Sequence, residues 1–294
     1  MQRLACILLA SAFALCGVSR SSAAQGSSAQ PWDTVAAILK TPAAPAAGYI
    51  RYNFPRRDLT VRMGDVTLAI PLASGAWAGF AGTAQRAMMM GDLVLIESEL
   101  GPVLAELERQ RIEVTGIHNH LVGEVPRLMY VHFHAAGAPA ALAARLDTVL
   151  RRTAIPRPVA AAAVAPVTID TGPIFSGLGA SGHATGNVAQ LGFDLVRRPV
   201  EWNGETLVAA LAYGTPINIQ AVSPSRAVAT GDFALLAPQV PHVLAAFAAN
   251  GITAEALHTH MVGESPPVYF IHFWADGSPT DVIRGLRAAL DAAR

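Results

Sequence analysis

The sequence has little charge and almost no cysteine. Only 14% of its 294 residues are charged, and 21 Lys and Arg residues balance 21 Asp and Glu residues. A net charge of zero leaves no basic stripe to neutralise phosphates, which argues against nucleic-acid binding. The 52% hydrophobic content excludes a disordered chain, because such chains lack the apolar residues needed for a core.

Long hydrophobic runs are also scarce. The one uninterrupted apolar run, residues 4–18, is shorter than the ~20 residues that a membrane-spanning helix needs. It follows Arg3 and precedes the small-residue site Ser22-x-Ala24, an order typical of a secretory signal peptide. We therefore predict a signal peptide at residues 1–24 and a periplasmic or secreted product.

Cleavage after residue 24 would remove both cysteines of the chain. Cys6 and Cys16 lie inside the predicted signal peptide, so the remaining 270 residues would have no disulfide and no thiol nucleophile. Loss of Arg3 and Arg20 would leave 19 basic against 21 acidic residues, a net charge of −2. Leu15 stands directly before Cys16, where lipoprotein signals have a small residue, so we expect no lipid anchor. The mature chain also has no candidate transmembrane segment.

The chain contains an internal repeat, which determines the predicted architecture. Residues 86–139 align without a gap with residues 226–279, and 20 of the 54 positions are identical. We infer a duplication, with a first repeat at 25–150, a linker rich in Pro and Ala at 151–168, and a second repeat at 169–294. Each repeat has the length of an ordinary domain.

Within a repeat, the hydrophobic patterns predict both strands and helices. Gly91-Asp92 are predicted to form a turn before a buried strand, and a helix then ends near Gln110. Two β-rich runs, 112–121 and 128–135, are predicted to pair antiparallel before a final helix. The expected fold class is α+β: two homologous halves, each an antiparallel sheet with two main helices, packed as a pseudo-dimer.

The segments upstream of this block are harder to assign. Apolar and β-branched residues predict strands at 49–54, 65–70 and 77–83. Pro, Ala, Gly and Ser dominate residues 41–48 and 172–187, which are predicted to be loops.

Histidine is the most informative residue type in this sequence. The pattern H-x-H-x₃-E-x₇-H occurs in both copies at identical spacing. Seven of the nine histidines belong to the repeated block: His118, His120, His132, His134, His258, His260 and His272. The concentration predicts a binding site built from imidazoles.

These histidines have the spacing of ligands on β-strands. Residues at i and i+2 share one face of a strand, so His118 and His120 would face His132 and His134 across a strand pair. Neutral imidazole nitrogens suit Zn, Cu or Fe ions. The carboxylate of each copy could complete the ligand set, which gives two further candidate ligands: Glu124 and Glu264.

Three functions are compatible with this pattern. The first is binding of a transition metal or small ligand by the repeated histidines. The second is a metal-dependent hydrolase or oxygen-handling enzyme in the first repeat, with Glu124 as general base. The third is a non-enzymatic envelope interaction module whose histidines are structural. The sequence has no nucleophile elbow, P-loop or HExxH motif that would select an enzyme class.

Paired arginines recur in both copies and allow two interpretations. Arg56-Arg57 and Arg197-Arg198 follow similar segments, and they could bind an anion or lie on a solvated strand edge.

The combined motifs resemble the LppY/LpqO family of bacterial exported proteins, an internally duplicated family of unknown function. The resemblance covers about residues 32–290 and depends on Gly91-Asp92, His118-Asn119-His120, Pro126-Arg127 and His132, and on their counterparts in the second copy. Thr259 and Pro267 depart from the first copy's Asn and Arg. The resemblance implies export and a duplicated fold, and it supplies no activity.

Overall fold

The computed structural model describes residues 31–159 and 165–294. The predicted signal peptide, with Cys6 and Cys16, lies outside the described residues, as does part of the predicted linker. Among the described helices, none combines the length and the apolar character needed to cross a bilayer.

Both halves follow the same order of main elements; among the described residues the second half has no strand equivalent to Glu124–Val125 and has an additional 3₁₀ turn. The first half contains α1 (Pro31–Leu39), β1 (Ala43–Ala46), β2 (Tyr49–Pro55), β3 (Arg62–Met63), β4 (Val66–Thr67), α2 (Ile70–Ala73), β5 (Gly75–Gly82), β6 (Ala87–Ile96), α3 (Glu97–Arg109), β7 (Glu113–His118), β8 (Glu124–Val125), β9 (Leu128–Gly137) and α4 (Pro139–Leu150). The second half contains α5 (Thr171–Leu178), β10 (Gly182–Thr185), β11 (Val188–Phe193), β12 (Glu201–Trp202), β13 (Glu205–Thr206), α6 (Ala209–Ala212), β14 (Thr215–Ser223), β15 (Arg226–Leu236), a 3₁₀ turn (Ala237–Gln239), α7 (Val240–Ala249), β16 (Thr253–His258), β17 (Val268–Gly277) and α8 (Pro279–Ala292).

Each half forms one six-stranded antiparallel sheet. The strand order is β1-β2-β5-β6-β9-β7 in the first half and β10-β11-β14-β15-β17-β16 in the second. The two orders are equivalent, strand for strand. The predicted fold class of two homologous α+β halves, each with an antiparallel sheet and helices, is confirmed.

One face of each sheet packs against the helices of its own half. In the first half Leu93 and Phe133 contact a core that includes Leu107 of α3 and Leu146 of α4. In the second half a corresponding core contains residues of β15, β17, α5, α7 and α8. Strand residues at alternate positions therefore face the helices, which leaves the other face of each sheet for a different partner.

That other face packs against the opposite half of the molecule. The short helix α2 of the first half contacts β14 and β15 of the second. Asn218 in β14 donates a hydrogen bond of 3.1 Å to the Leu72 carbonyl oxygen. Reciprocally, Leu211 of α6 lies against Gly79 of β5, where a larger residue would clash with it. The halves thus form a pseudo-dimer in which each covers the other's sheet.

Two upstream predictions are wrong, and the strand predicted at residues 65–70 is correct only for Val66–Thr67. Residues 41–48 contain strand β1, which pairs with β2 at the sheet edge and has no alternating pattern because it consists of Ala and Pro. Residues 172–187 contain α5 and β10; the Asp170 carboxylate accepts a hydrogen bond from Gly172 N and caps α5. Residues 65–70 form part of the β3–β4 hairpin and the start of α2, because Gly64, with φ 58°, makes a tight turn.

Residues 151–159 of the predicted linker pack on the first half, whereas Thr168 N donates a hydrogen bond of 2.8 Å to the Gly186 carbonyl oxygen in the second half. Ile155 is buried in the first core, and Arg157 Nη1 lies 2.5 Å from the Asp147 carboxylate of α4. The segment therefore begins as a fixed extension of α4.

Candidate metal centre

The β7–β9 pairing determines the positions of the first-copy histidines. As predicted, the two strands run antiparallel; His118 lies opposite Tyr130, and Gly116 lies opposite His132. His118 and His132 are therefore diagonal neighbours on one face, and their ring centroids are 4.8 Å apart.

The second copy repeats this arrangement on β16 and β17. His258 lies opposite Phe270, and Ala256 lies opposite His272. The ring centroids of His258 and His272 are 4.7 Å apart, which matches the first copy.

The two sets of histidines meet where the halves face each other. The His118 and His258 rings stack at 3.7 Å, and His118 Nε2 lies 3.0 Å from His272 Nε2. The pairs His120–His272 and His132–His260 are both 3.8 Å apart, as expected for a pseudo-twofold axis through the cluster. The six rings form what we call the histidine cluster: His118, His120, His132, His258, His260 and His272.

Two groups of three histidines within this cluster have the spacing of metal ligands. One contains His118, His258 and His272, and the other contains His132, His258 and His260. In each group the ligand nitrogens lie within 4.8 Å of one another. Two nitrogens on a tetrahedral zinc ion are about 3.3 Å apart, given Zn–N bonds of about 2.0–2.1 Å. Small shifts of the rings would therefore permit coordination.

Two aspartates that sequence reasoning did not select lie beside the cluster. Asp92 and Asp232 are in the middle of β6 and β15, directly opposite His132 and His272, so the predicted turn at Gly91-Asp92 is wrong. Asp232 Oδ1 contacts His272 Nδ1. Asp92 lies 3.7 Å from His120 Nε2 and 4.0 Å from His132 Nδ1.

The contact with Asp232 orients the His272 ring. Its Nδ1 faces the carboxylate and also lies 3.3 Å from the Gly231 carbonyl oxygen, while its Nε2 faces His118. Metal-binding histidines are commonly held this way, with one nitrogen donating to a carboxylate or carbonyl and the other directed at the ion.

Aromatic rings form the walls of the cluster. Tyr130 stacks on His120 at 3.3 Å, and its counterpart Phe270 stacks on His260 at 3.4 Å. The Tyr130 hydroxyl donates a hydrogen bond to the Ala73 carbonyl oxygen, which fixes the ring. The stacked rings hold the two imidazoles against rotation and limit the access of water.

Burial favours the neutral form of five cluster imidazoles: His118, His120, His132, His258 and His260. Desolvation lowers the pKa of His132 to about 3, with the nearby Asp232 acting in the opposite direction. Desolvation and the neighbouring imidazoles lower the pKa of His258 to about 2, and they also lower the pKa values of His118 and His260. Neutral imidazole is the form that binds metal.

Many polar atoms of the cluster have no hydrogen-bond partner. Among the described residues these buried atoms include Asp92 Oδ1, His118 Nδ1, His120 Nε2, His132 Nε2, His260 Nε2 and both ring nitrogens of His258. Unsatisfied buried polar atoms are costly, and such a concentration is unusual. A bound cation would satisfy several of these lone pairs at once.

Four of the predicted ligands lie outside both groups: His120, His134, Glu124 and Glu264. His120 still belongs to the histidine cluster. His134 packs against Trp202 with ring centroids 4.0 Å apart. Glu124 and Glu264 accept backbone hydrogen bonds from Leu128 N and Val268 N, at 3.2 and 3.0 Å, in equivalent turns. The structure thus brings together three histidines from each half instead of four from one.

The buried carboxyl group of Glu124 should make the free energy of unfolding depend on pH. Burial raises its pKa to about 8, so the folded protein retains a proton that the unfolded chain releases near its ordinary pKa of ~4.3. The free energy of unfolding should therefore fall as pH rises from about 4.5 to 8. Glu124→Gln should remove this pH-dependent fall in the free energy of unfolding. The variant should therefore gain stability relative to wild type at pH 8 and not at pH 4.

Urea unfolding at several pH values would measure this effect. The exposed Glu108 on α3 provides the control, since Glu108→Gln should leave the pH profile unchanged. An E124Q profile parallel to that of wild type would contradict the assignment of a neutral buried carboxyl group.

The two arginine pairs have different environments. Arg56 is completely buried and binds Asp58, Glu99 and the Val94 carbonyl oxygen. Neither a solvated edge nor an anion site therefore describes Arg56. Its neighbour Arg57 and both members of the second pair are exposed.

The fold and the site define a class of protein: a tandem repeat of one α+β domain with a histidine cluster between the two copies. Residues 33–152 and 173–292 each match the family described as Domain of Unknown Function (DUF1259). The chain therefore belongs to this family and contains its domain twice, in agreement with the internal repeat.

Two solved structures are weakly similar to this chain. No curated protein matches the sequence. The chain is similar to the crystal structure of EtuB from Clostridium kluyveri, with 11% identity, a TM-score of 0.21 and coverage of 85% of this chain and 89% of that one. The double-ringed trimeric shell protein MSM0271 from the RMM microcompartment gives 9% identity, a TM-score of 0.18 and coverage of 73% and 85%. Similarity this low carries no argument about fold or function.

Proposed function

We propose that the protein binds one divalent transition-metal ion in the histidine cluster between its halves. The observation that carries this proposal is the convergence of six imidazoles, many with unpartnered nitrogens, in one buried site. Imidazole ligands without thiolates favour zinc, copper or iron over calcium or magnesium.

The stoichiometry follows from the position of His258. This residue belongs to both groups of three, so an ion held by one group removes a ligand from the other. His118 and His272 supply a preformed pair, since their Nε2 atoms are 3.0 Å apart and Asp232 holds the His272 ring. We therefore expect one ion per chain.

Metal analysis of the protein purified without a His tag tests this proposal. After incubation with Zn²⁺ or Cu²⁺ and gel filtration, about one ion per chain should remain. Removal with a chelator should be reversible. Less than a tenth of an equivalent after loading with either ion would contradict the proposal.

The structure supports the binding function better than the two alternatives. A hydrolase that uses Glu124 as base would need a free carboxylate beside the ion, whereas Glu124 is buried and accepts the Leu128 N–H. Purely structural histidines would have backbone partners, and in the described residues few cluster nitrogens have one.

We also propose that the protein is exported, as the resemblance to the LppY/LpqO family implies. The support is the order of Arg3, the apolar run 4–18 and the Ser22-x-Ala24 site in the sequence. The mature protein from an envelope fraction should begin at Gln25, and therefore lack Cys16 and any lipid attached to it. An intact N-terminus in the cytosolic fraction would contradict export.

A further inference from the structure

A cavity of 410 Å³ lies between the halves, outside the histidine cluster. The first half supplies residues from β7, β9 and α4, and the β12–β13 hairpin of the second half closes the cavity with Trp202, Asn203 and Glu205. Its size is in the range of cavities that hold small organic molecules.

His134 is the buried polar residue of this cavity. Its side chain is 2% exposed, and its Nε2 atom has no hydrogen-bond partner among the described residues. Its Nδ1 lies 4.0 Å from Glu113, and the Trp202 ring packs against it edge-on. A buried ring nitrogen of this kind needs a polar partner, which a ligand in the cavity would provide.

Arginines provide the charge of the cavity. Arg145 Nε donates to the Gln110 carbonyl oxygen at 2.6 Å, and its Nη2 contacts the Arg111 carbonyl oxygen. Arg145 thereby fixes the backbone at Arg111, which adopts a left-handed conformation with φ 52° and contributes only its carbonyl oxygen to this contact. The Arg111 guanidinium remains available for a ligand.

The net charge of the cavity and its apolar lining indicate the class of ligand that fits it. Three arginines and two glutamates line the cavity, which leaves one net positive charge. Arg86 and Glu205 form a pair at 3.0 Å on the rim, so the carboxylate of Glu113 is the one remaining negative charge against Arg111 and Arg145. One excess positive charge matches a monoanion, and a guanidinium matches the planar carboxylate group.

The equivalent region of the second half lacks counterparts of Arg111, Arg145 and His134. At the constant offset of 140 residues, Gly251 replaces Arg111, Gly285 replaces Arg145 and Trp274 replaces His134. Trp274 packs against the first hydrophobic core, as does Met63 of the β3–β4 hairpin that corresponds to the β12–β13 hairpin. One copy of the duplicated region is filled with apolar side chains, and the other retains an open, charged cavity.

We propose that this cavity binds a small organic monocarboxylate, with Arg111 and His134 contacting the carboxylate group and Trp202 packing against the apolar body. The site is separate from the histidine cluster and does not depend on a bound metal ion.

Calorimetric titration of the metal-free protein with benzoate tests the proposal. Benzoate should bind saturably at one site, whereas benzamide, which has the same shape without the charge, should bind at least ~10-fold more weakly. Equal binding of benzoate and benzamide, tighter binding of inorganic phosphate, or no saturable benzoate binding would overturn the proposal.

Two variants locate the site. Arg111→Gly introduces the residue of the second copy at a left-handed position, so it should fold normally and lower benzoate affinity at least ~10-fold. His134→Trp should fill the cavity and abolish binding. In the control, Trp274→His opens space in the second half, where Arg111 and Arg145 have no counterparts and Arg226 is paired with Asp65 and Asp276, and should leave benzoate affinity unchanged. Unchanged affinity in R111G would overturn the proposal, whatever the behaviour of H134W.

Discussion

Replacing His258 with alanine is expected to abolish the binding of the transition-metal ion while leaving the metal-free protein folded. His258 belongs to both candidate ligand groups, so its loss leaves only two imidazoles in each. We expect metal affinity to fall at least ~100-fold, more than the loss usually caused by removing an outer-shell partner of a ligand.

The thermal stability of this variant should depend on metal in a distinctive way. At a zinc concentration ~100 times Kd, binding should stabilise the wild type by roughly 2.7 kcal/mol, and H258A should lose this gain. In the metal-free state both ring nitrogens of His258 are buried without partners, so their removal offsets the lost packing. Melting temperatures of both proteins with Zn²⁺ and with a chelator would measure the difference.

A matched control comes from the second half itself. His242 is exposed on α7, away from the cluster, and H242A should retain the full zinc-dependent shift. An undiminished shift in H258A would contradict the assignment of His258 as a ligand. A large loss of stability in the metal-free variant would favour a structural role.

Replacing Arg56 with methionine is expected to cause the largest loss of stability, about 3–5 kcal/mol. Arg56 is fully buried and its Nη1 lies 2.7 Å from Glu99. Glu99 also accepts hydrogen bonds from Ile96 N and Ala154 N, and thereby caps α3. Without the guanidinium, a buried carboxylate would lack its counter-charge.

The second copy indicates how the loss can be repaired. Gln239, the counterpart of Glu99, accepts the Leu236 N–H at 2.6 Å and donates to the Ala293 carbonyl oxygen without an arginine. The double variant R56M/E99Q should therefore recover part of the stability lost in R56M. Urea unfolding measures both, with the exposed neighbour Arg57 as control, since R57M should change stability by less than ~0.5 kcal/mol. Equal stability of R56M and wild type would contradict the account.

The sequence predicted the strands and helices around the repeated histidines. It did not predict which residues of the two halves pack against each other. The antiparallel pairing of β7 with β9 followed from two short β-rich runs, and the α3 and α4 helices followed from their apolar spacing. The segments that failed, β1 and α5, are made largely of small residues, whose burial depends on tertiary contacts that a local pattern does not contain.

The same limit applies to the site. The spacing of His118 and His132 placed them on one face of a strand pair, but their partners come from residues 140 positions away. Nothing local predicts that His118 meets His272 across the pseudo-twofold axis. The recurrence of Gly-Asp at the same offset was the available signal for Asp92 and Asp232, and a turn was the wrong interpretation because both residues lie within long central strands.

Anomalous diffraction from crystals loaded with Zn²⁺, collected on both sides of the zinc edge, would show directly whether the histidine cluster holds an ion. We predict one strong peak per chain within about 2.1 Å of nitrogens from His258 and the other two histidines of one group, either His118 and His272 or His132 and His260. A loaded crystal with no peak in the cluster, or with peaks only at surface histidines such as His183 and His242, would contradict it.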